Sequence, residues 1–309
     1  MQQCKVALFG STGFIGSYIL EELVNSGIES IALIREKSIS KLLSLKTTEI
    51  VTGELDSDQD IIDTIKNCDT VIYSVGIIQE FPKSGVTFTK LHFNYFKKVV
   101  DISLKHRIKK IIYISANGVK NTGTGYQTSK YKAEQYLMRK FKNWTIFRPS
   151  VVFGDPKGKM EFVTQLNNDI IFKQIPAPLF FKINPFAISK FFKSTPVHVK
   201  NLAELVVKSI QSDFSHNKIF KIGGPTTTSW SSMLKLISRI RNKKKLKLPV
   251  PIIFVQLIAQ LFDRFEFIPI TSTQLQMLKE DNICDSEELF REYKINPIEF
   301  SAENLQYLR

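Results

Sequence analysis

Gly10-Ser11-Thr12-Gly13-Phe14-Ile15-Gly16 is the stretch on which the fold turns. It closes the apolar run Lys5-Val6-Ala7-Leu8-Phe9 and opens the helix-like stretch Ser17 to Asn25, so the chain begins with strand, glycine turn and helix. Gly10 permits the tight turn, Gly13 lets backbone approach a pyrophosphate, and Gly16 lets helix and strand pack closely. The helix N-terminus adds unpaired N–H groups for the anion. Thr12, Phe14 and Ile15 fill out this expected dinucleotide cradle. A glycine-rich turn in another α/β protein would share the triplet, so the strand before it and the helix after it carry the reading.

Working outward, Ile28 to Arg35, Thr48 to Gly53, Thr70 to Gly76 and Lys109 to Ser115 are apolar runs separated by helix-length segments. Thr145 to Arg148 and Lys218 to Ile222 read as later strands of the same sheet, the second ending in Gly223-Gly224-Pro225. The alternation predicts an α/β fold, a Rossmann-type doubly wound parallel sheet with a smaller, mostly helical C-terminal region. A dinucleotide-binding core is expected over 1–153. Residues 154–309 would then hold the substrate-region segments, later core strands at about 196–225 and a helical remainder, all in one compact unit. Residues 154–195 are rich in Pro and Phe, as in Pro176-Ala177-Pro178-Leu179-Phe180-Phe181. They are expected over the carboxyl edge of the sheet, where open α/β folds bind ligands.

The chain has 309 residues, 43% apolar and 23% charged, which is ample for a large core and argues against disorder. Its longest nearly apolar stretch, Leu248 to Phe262, is interrupted by Gln256 and Gln260 and is short of the roughly 20 residues that span a bilayer. The expectation is therefore a cytoplasmic protein. Cys4, Cys68 and Cys284 are odd in number and widely spaced, which suggests neither a disulfide framework nor a metal site. His92, His106, His198 and His216 form no ligand-spaced cluster either.

The net charge of +14 is the most unusual bulk property. Its densest cluster, Lys235 to Lys247, leads into Leu248-Pro249-Val250-Pro251-Ile252-Ile253-Phe254-Val255. A basic run beside an apolar one fits the inner face of a membrane, as a peripheral contact, better than a nucleic-acid groove. The Phe-rich, lysine-bearing segment Phe180 to Lys193 adds to that expectation. The plainer alternatives are a solvated helix followed by a core helix, and phenylalanines that serve as lid and core.

The adenine ribose is read at the end of the second strand, about 20 residues past the glycine turn, where an acid would bond the 2'-hydroxyl of NAD. The chain offers Ile34-Arg35-Glu36-Lys37 there. Arg35 has the planar fork suited to a 2'-phosphate, so NADP(H) is favoured over NAD(H). A shift of one residue would hand the role to Glu36.

Tyr126-Gln127-Thr128-Ser129-Lys130 puts a tyrosine and a lysine one helical turn apart, on one face. A phenol with pKa near 10 is a poor acid-base catalyst at neutral pH, but an adjacent ammonium stabilises the phenolate. Ser115, closing Tyr113-Ile114-Ser115, adds a hydroxyl that would polarise a substrate carbonyl.

At this point the chain resembles the short-chain dehydrogenase/reductase superfamily, in its extended and atypical branch. The landmarks, in order, are Gly10 to Gly16, Gly53-Glu54-Leu55-Asp56, Ser74-Val75-Gly76, Ser115, Tyr126 with Lys130, Arg148-Pro149-Ser150-Val151-Val152-Phe153-Gly154, and Pro196-Val197-His198-Val199 with Gly223-Gly224-Pro225. The resemblance implies that Tyr126 is the acid-base, that Lys130 also holds the nicotinamide ribose, that Ser115 orients the substrate, and that Asp56 lies near the adenine. Within the branch the chain is similar to the nucleotide-binding accessory subunit of respiratory complex I and its bacterial relatives, a likeness that extends through Thr273-Gln274-Leu275-Gln276-Met277-Leu278-Lys279-Glu280-Asp281-Asn282. Some of that group are linked to quinone biosynthesis, and others bind nucleotide without known turnover. Only ten residues separate Ser115 from Tyr126, and the substrate region is Phe-rich, both unlike a sugar-nucleotide epimerase.

Two functions follow as expectations. One is an oxidoreductase passing hydride between NADP(H) and a carbonyl or quinone-like apolar substrate near a membrane. The other is a non-catalytic nucleotide-binding accessory or assembly factor of a respiratory or quinone-biosynthesis complex. A regulatory nucleotide sensor resembling nitrogen-metabolite repressors fits less well, since those commonly lack the tyrosine and lysine pair. Neither nucleic acid nor metal is expected as a partner.

Overall fold

The computed structural model describes residues 5–41, 47–173, 176–184, 187–189, 192–251, 276 and 280–309. The chain forms two compact units, 1–149 with 199–222 and 289–296, and 150–198 with 223–288 and 297–309.

The first unit is built on a parallel sheet. Its strands are β1 (Val6–Phe9), β2 (Ser30–Ile34), β3 (Thr48–Thr52), β4 (Thr70–Tyr73), β5 (Lys110–Ile114) and β6 (Trp144–Pro149), with Lys218–Ile222 as the seventh. Lys218–Ile222 lies beside β6, and the order continues β5, β4, β1, β2, β3. All pairs are parallel, as the alternation of runs predicts. The chain leaves β1 toward one edge and returns to β4 on the other side, so the topological switch point lies between β1 and β4. β1, β2, β4 and β5 are buried at every position, the pattern of strands covered on both faces.

Helices α1 (Phe14–Asn25), α2 (Asp58–Ile65), α3 (Tyr95–Lys105) and α4 (Gly125–Lys140) connect the strands. Ser57 caps α2 by accepting the Asp60 N–H, and Thr124 with Gln127 forms a reciprocal capping box on α4. Ile61 and Ile65 of α2, Phe96 and Val99 of α3, and Ala133 and Leu137 of α4 share one core with the sheet. At its centre Phe96 stacks on Tyr113 with ring centres 4.3 Å apart and meets Tyr73 at 4.9 Å. Each such side chain contributes about 1.5 to 3 kcal/mol by leaving water. Among the described residues no helix is long and apolar enough to cross a membrane.

The second unit has its own core, in which Phe153, Val163, Leu166, Trp230, Met233 and Ile237 pack together. Trp230 donates its indole N–H to the Pro178 carbonyl at 2.9 Å. Among its described residues the C-terminal region adds strand to the helix that is expected there. The helix Trp230–Ile240 stops at Arg241, and Lys247–Pro251 is a strand parallel to Ala177–Asn184. Pro249 and Pro251 lack the N–H that a helix interior needs, whereas an edge strand tolerates that loss. Residues 252–262 of the apolar stretch, residues 273–275 and 277–279, Cys4, and the side chains of Phe180, Phe181, Phe186 and Phe191 lie outside the described residues. Phe192 is partly buried against Trp230, ring centres 6.5 Å apart, and so serves as core. Among the described residues neither Cys68 nor Cys284 is in a disulfide.

Candidate functional site

Every expected site residue of the first unit falls just past the carboxyl end of a parallel strand or on α1 or α4. Gly10 follows β1, Arg35 follows β2, Asp56 lies four residues past β3, Ser74 follows β4 and Ser115 follows β5. Gly10 has φ +93° and stands so close to the β4 end that a Cβ there would meet the Ser74 carbonyl carbon at 2.8 Å. A Cβ on Gly16 would lie 2.0 Å from the Gly10 oxygen, so this is the helix-to-strand contact that only glycine permits. Gly13 is the N-cap of α1 and gives it no side-chain cap, which leaves the first-turn N–H groups for an anion. Of the residues around it, Phe14 and Ile15 are half-buried and Thr12 lies on the same turn.

The rim of this edge contains polar atoms that nothing satisfies. The hydroxyls of Ser11, Ser74 and Ser115 are buried without a hydrogen-bond partner. Each such group costs about 1 to 3 kcal/mol if left unpaired. A nicotinamide dinucleotide fits this edge, because its phosphate and ribose oxygens and its amide supply the missing partners beside a glycine turn shaped for them. Arg35 is exposed directly after β2, and Glu36 begins a short 3-10 turn next to it. Asp56 is engaged: the Tyr95 hydroxyl donates to it at 2.5 Å and Lys90 pairs with it at 3.3 Å. These partners hold its carboxyl below the usual range, the Tyr95 hydrogen bond most of all.

α4 buries Gln127, Ser129, Lys130 and Glu134 along with Ala133 and Leu137, a polar stripe where a purely structural helix would be apolar. Lys130 donates to the Ile114 carbonyl at 3.1 Å, with its Nζ 5.3 Å from the Tyr113 ring centre and 5.8 Å from that of Tyr126. Burial lowers the Lys130 ammonium from 10.5 to about 8, partly offset by Glu134, which is ion-paired with Arg148. Tyr126 is half-buried, and loss of solvent raises its phenol well above 10. The ammonium lies over the Tyr126 ring face and donates to the Ile114 carbonyl.

A residue that sequence reasoning did not single out joins these parts. His92 lies in a π-helical turn, Thr89–Asn94, ahead of α3 and is fully buried. The Ile77 N–H donates to its Nε2 at 3.1 Å, which assigns the proton of the neutral ring to Nδ1. Nδ1 then donates to the Ser129 hydroxyl at 3.0 Å, and that hydroxyl donates to the Tyr126 carbonyl at 3.0 Å. The ring stacks on Phe88 and meets the Tyr126 ring edge-on at 5.3 Å. Burial and the Lys130 charge keep it well below 6.5, hence neutral. Gly76 closes the ring of contacts: a Cβ there would lie 3.6 Å from Lys130 Nζ and 3.7 Å from His92 Nε2. The loop Ser74-Val75-Gly76 is therefore tied to α4 through His92. No local spacing in the sequence signals that link, since it spans 37 residues. Among the described residues no group of metal-ligating side chains is found.

Comparison with known proteins agrees with this geometry. The family described as NAD(P)H-binding matches residues 10–174. The chain is 21% identical over 309 residues to the NADH-ubiquinone oxidoreductase 40 kDa subunit, mitochondrial, of Neurospora crassa, covering 98% of this chain and 78% of that protein. It is 24% identical over 282 residues to a decarboxylating sterol-4-alpha-carboxylate 3-dehydrogenase of Candida albicans, covering 80% and 79%. The structure of the Thermus thermophilus UDP-glucose 4-epimerase in complex with NAD superposes with a TM-score of 0.72 at 15% identity over 98% of this chain and 97% of that one, a likeness of fold. Glycine turn, switch-point edge, buried tyrosine and lysine helix, and a family match over more than half its length together show that the chain belongs to the NAD(P)H-binding family, among proteins of the extended short-chain dehydrogenase/reductase kind.

Proposed function

We propose that the protein is an NADP(H)-preferring reductase of a carbonyl or quinone-like apolar substrate, working at a membrane face. The observation that carries the reading is the pairing of Tyr126 with the buried Lys130, whose Nζ lies 5.8 Å from the tyrosine ring centre. A phenol beside an ammonium is suited to give a proton to a carbonyl oxygen, because the charge beside it stabilises the phenolate left behind. Reduction of a carbonyl needs that donor.

In this reading the glycine turn Gly10–Gly16 binds the pyrophosphate, Arg35 the 2'-phosphate, Asp56 lies by the adenine, and Lys130 with Ser74-Val75-Gly76 positions the nicotinamide ribose. NADPH held by these residues would supply the hydride for a carbonyl carbon. The Ser115 hydroxyl donates a hydrogen bond to the carbonyl oxygen as charge builds there, and the Tyr126 hydroxyl transfers its proton to that oxygen. The phenolate left on Tyr126 is stabilised by the Lys130 ammonium, which is charged below about pH 8. The sterol substrate in the name of the Candida albicans relative is in keeping with an apolar substrate.

The second reading, a nucleotide-binding accessory subunit without turnover, is supported by the likeness to the Neurospora crassa subunit. Purified protein should oxidise NADPH when offered a panel of apolar ketones and quinones. Protein that binds NADPH with full stoichiometry yet oxidises none across the panel supports the accessory reading instead.

A further inference from the structure

The second unit carries apolar side chains that its own core does not cover. Phe172 is 57% exposed, Leu246 72% and Leu248 52%. Lys243 and Lys245, just ahead of Leu246, reach the backbone at Phe172 and Lys173. Lys243 Nζ donates to the Phe172 carbonyl at 3.5 Å and sits 4.1 Å over the Phe172 ring. Lys245 donates to the Lys173 carbonyl, and Leu246 accepts from the Ala177 N–H at 2.8 Å. Leu246 directly precedes the strand and Leu248 is its second residue, and both are exposed.

The stretch that carries the leucines is strongly basic. From Lys235 to Lys247 the chain has seven basic residues and no acidic one. Lys243, Lys244 and Lys245 stand together next to Leu246. The nearby acids are matched already: Asp169 pairs with Lys173 at 3.4 Å, and the buried Glu161 accepts from the Val163 and Thr164 N–H groups and the Tyr307 hydroxyl. Beside Phe172 opens a cavity of about 480 Å³ whose walls include Thr164, Asn167, Asn168, Arg241 and Arg309. Asn167 is buried with its Oδ1 unpartnered, and Arg241 Nε is unpartnered as well.

We propose that this face docks onto an anionic lipid bilayer, with Phe172, Leu246 and Leu248 entering the headgroup boundary, the lysines lying over the phosphates and the cavity at Arg241 receiving one headgroup. The inference rests on the membrane side of the proposed function and names the surface that provides it. Charge alone would suit a nucleic acid equally, but two leucines and a lone phenylalanine fit an acyl boundary instead of a run of stacked bases. It narrows the basic stretch that the sequence suggested to residues 243–248 and adds Phe172.

Co-sedimentation with phosphatidylcholine vesicles, with and without phosphatidylserine, tests it. The wild type should bind only the vesicles that contain phosphatidylserine, and part of that binding should survive about 1 M salt, where the Debye length falls to about 3 Å. The triple variant Lys243→Gln, Lys244→Gln, Lys245→Gln should bind roughly 100-fold more weakly at low salt. The double variant Leu246→Ser, Leu248→Ser should lose the salt-resistant fraction and keep the rest. Unchanged NADPH affinity and circular dichroism verify that both variants fold. If the wild type binds and both variants bind as it does, the membrane reading stands and this face is overturned. If the wild type fails to bind at low salt while NADPH oxidation persists, both the face and the membrane setting fall and the reductase remains. Capture by duplex DNA without capture by vesicles overturns the proposal in favour of a nucleic-acid partner.

Discussion

The two units leave opposite kinds of surface unfinished. At the sheet edge of the first, the hydroxyls of Ser11, Ser74 and Ser115 are buried with no partner. On the second, Phe172, Leu246 and Leu248 stand in solvent among lysines. A buried unpaired hydroxyl is costly and persists where a small polar ligand completes it in one geometry. An exposed apolar cluster is completed by area and by charge, with little demand on angle. Changes to the first should therefore act abruptly, and changes to the second in graded steps.

The largest effect belongs to Gly16. A Cβ 2.0 Å from the Gly10 oxygen sets backbone against backbone, so Gly16→Ala should lower unfolding free energy by about 3 kcal/mol or more. Denaturant titration measures it, and an unchanged midpoint would mean that the helix is free to shift. Gly13 makes the contrast, since its Cβ would meet only the Gly10 oxygen, at 3.3 Å. Gly13→Val should fold and yet bind no nucleotide in a calorimetric titration.

Next comes nucleotide choice. Arg35→Ala should erase a preference for NADPH over NADH worth about 1.5 to 3 kcal/mol, the scale of a charge-assisted hydrogen bond. Equal wild-type affinities would show that Arg35 takes no part, and tighter NADH binding would pass the ribose to Glu36.

His92→Leu leaves the Ile77 N–H and the Ser129 hydroxyl buried without their partner and should cost about 1 to 3 kcal/mol of stability. His92→Asn, which can both accept and donate, should recover a good part of it. Equal losses for the two variants would mean that the ring's volume, rather than its bonds, holds the loop to α4.

The smallest effect lies on the second unit. Lys244→Gln alone should weaken binding to phosphatidylserine vesicles only about fivefold and leave the unfolding midpoint unchanged. A complete loss from that single change would break the contrast between abrupt and graded responses.

Much of the first unit is legible in the sequence because its signals are local. The glycine turn, the apolar runs and the Tyr126-x-x-x-Lys130 spacing each fit within a few residues, and the structure has a strand or helix at each. His92 is not legible, because its partners Ile77 and Ser129 come from other elements and meet it only through the sheet. The Lys130 contact is hidden for a related reason: helical spacing sets the lysine on the right face but says nothing of the Ile114 carbonyl to which it donates. In the second unit the basic run is plain in the sequence, but a strand at Lys247–Pro251 is not, since a short apolar run with two prolines has no clear period.

The central claim is that Tyr126 gives the proton while Lys130 keeps its charge. Single-turnover oxidation of NADPH with a ketone or quinone accepted by the wild type tests it, comparing wild type with Tyr126→Phe across pH. With NADPH affinity unchanged, Tyr126→Phe should be slower by about 10² to 10⁴-fold. The wild-type rate should hold at neutral pH and fall as pH rises through about 8, because burial lowers the Lys130 value and its ammonium is lost there. A Tyr126→Phe protein that turns over at the wild-type rate would contradict the account.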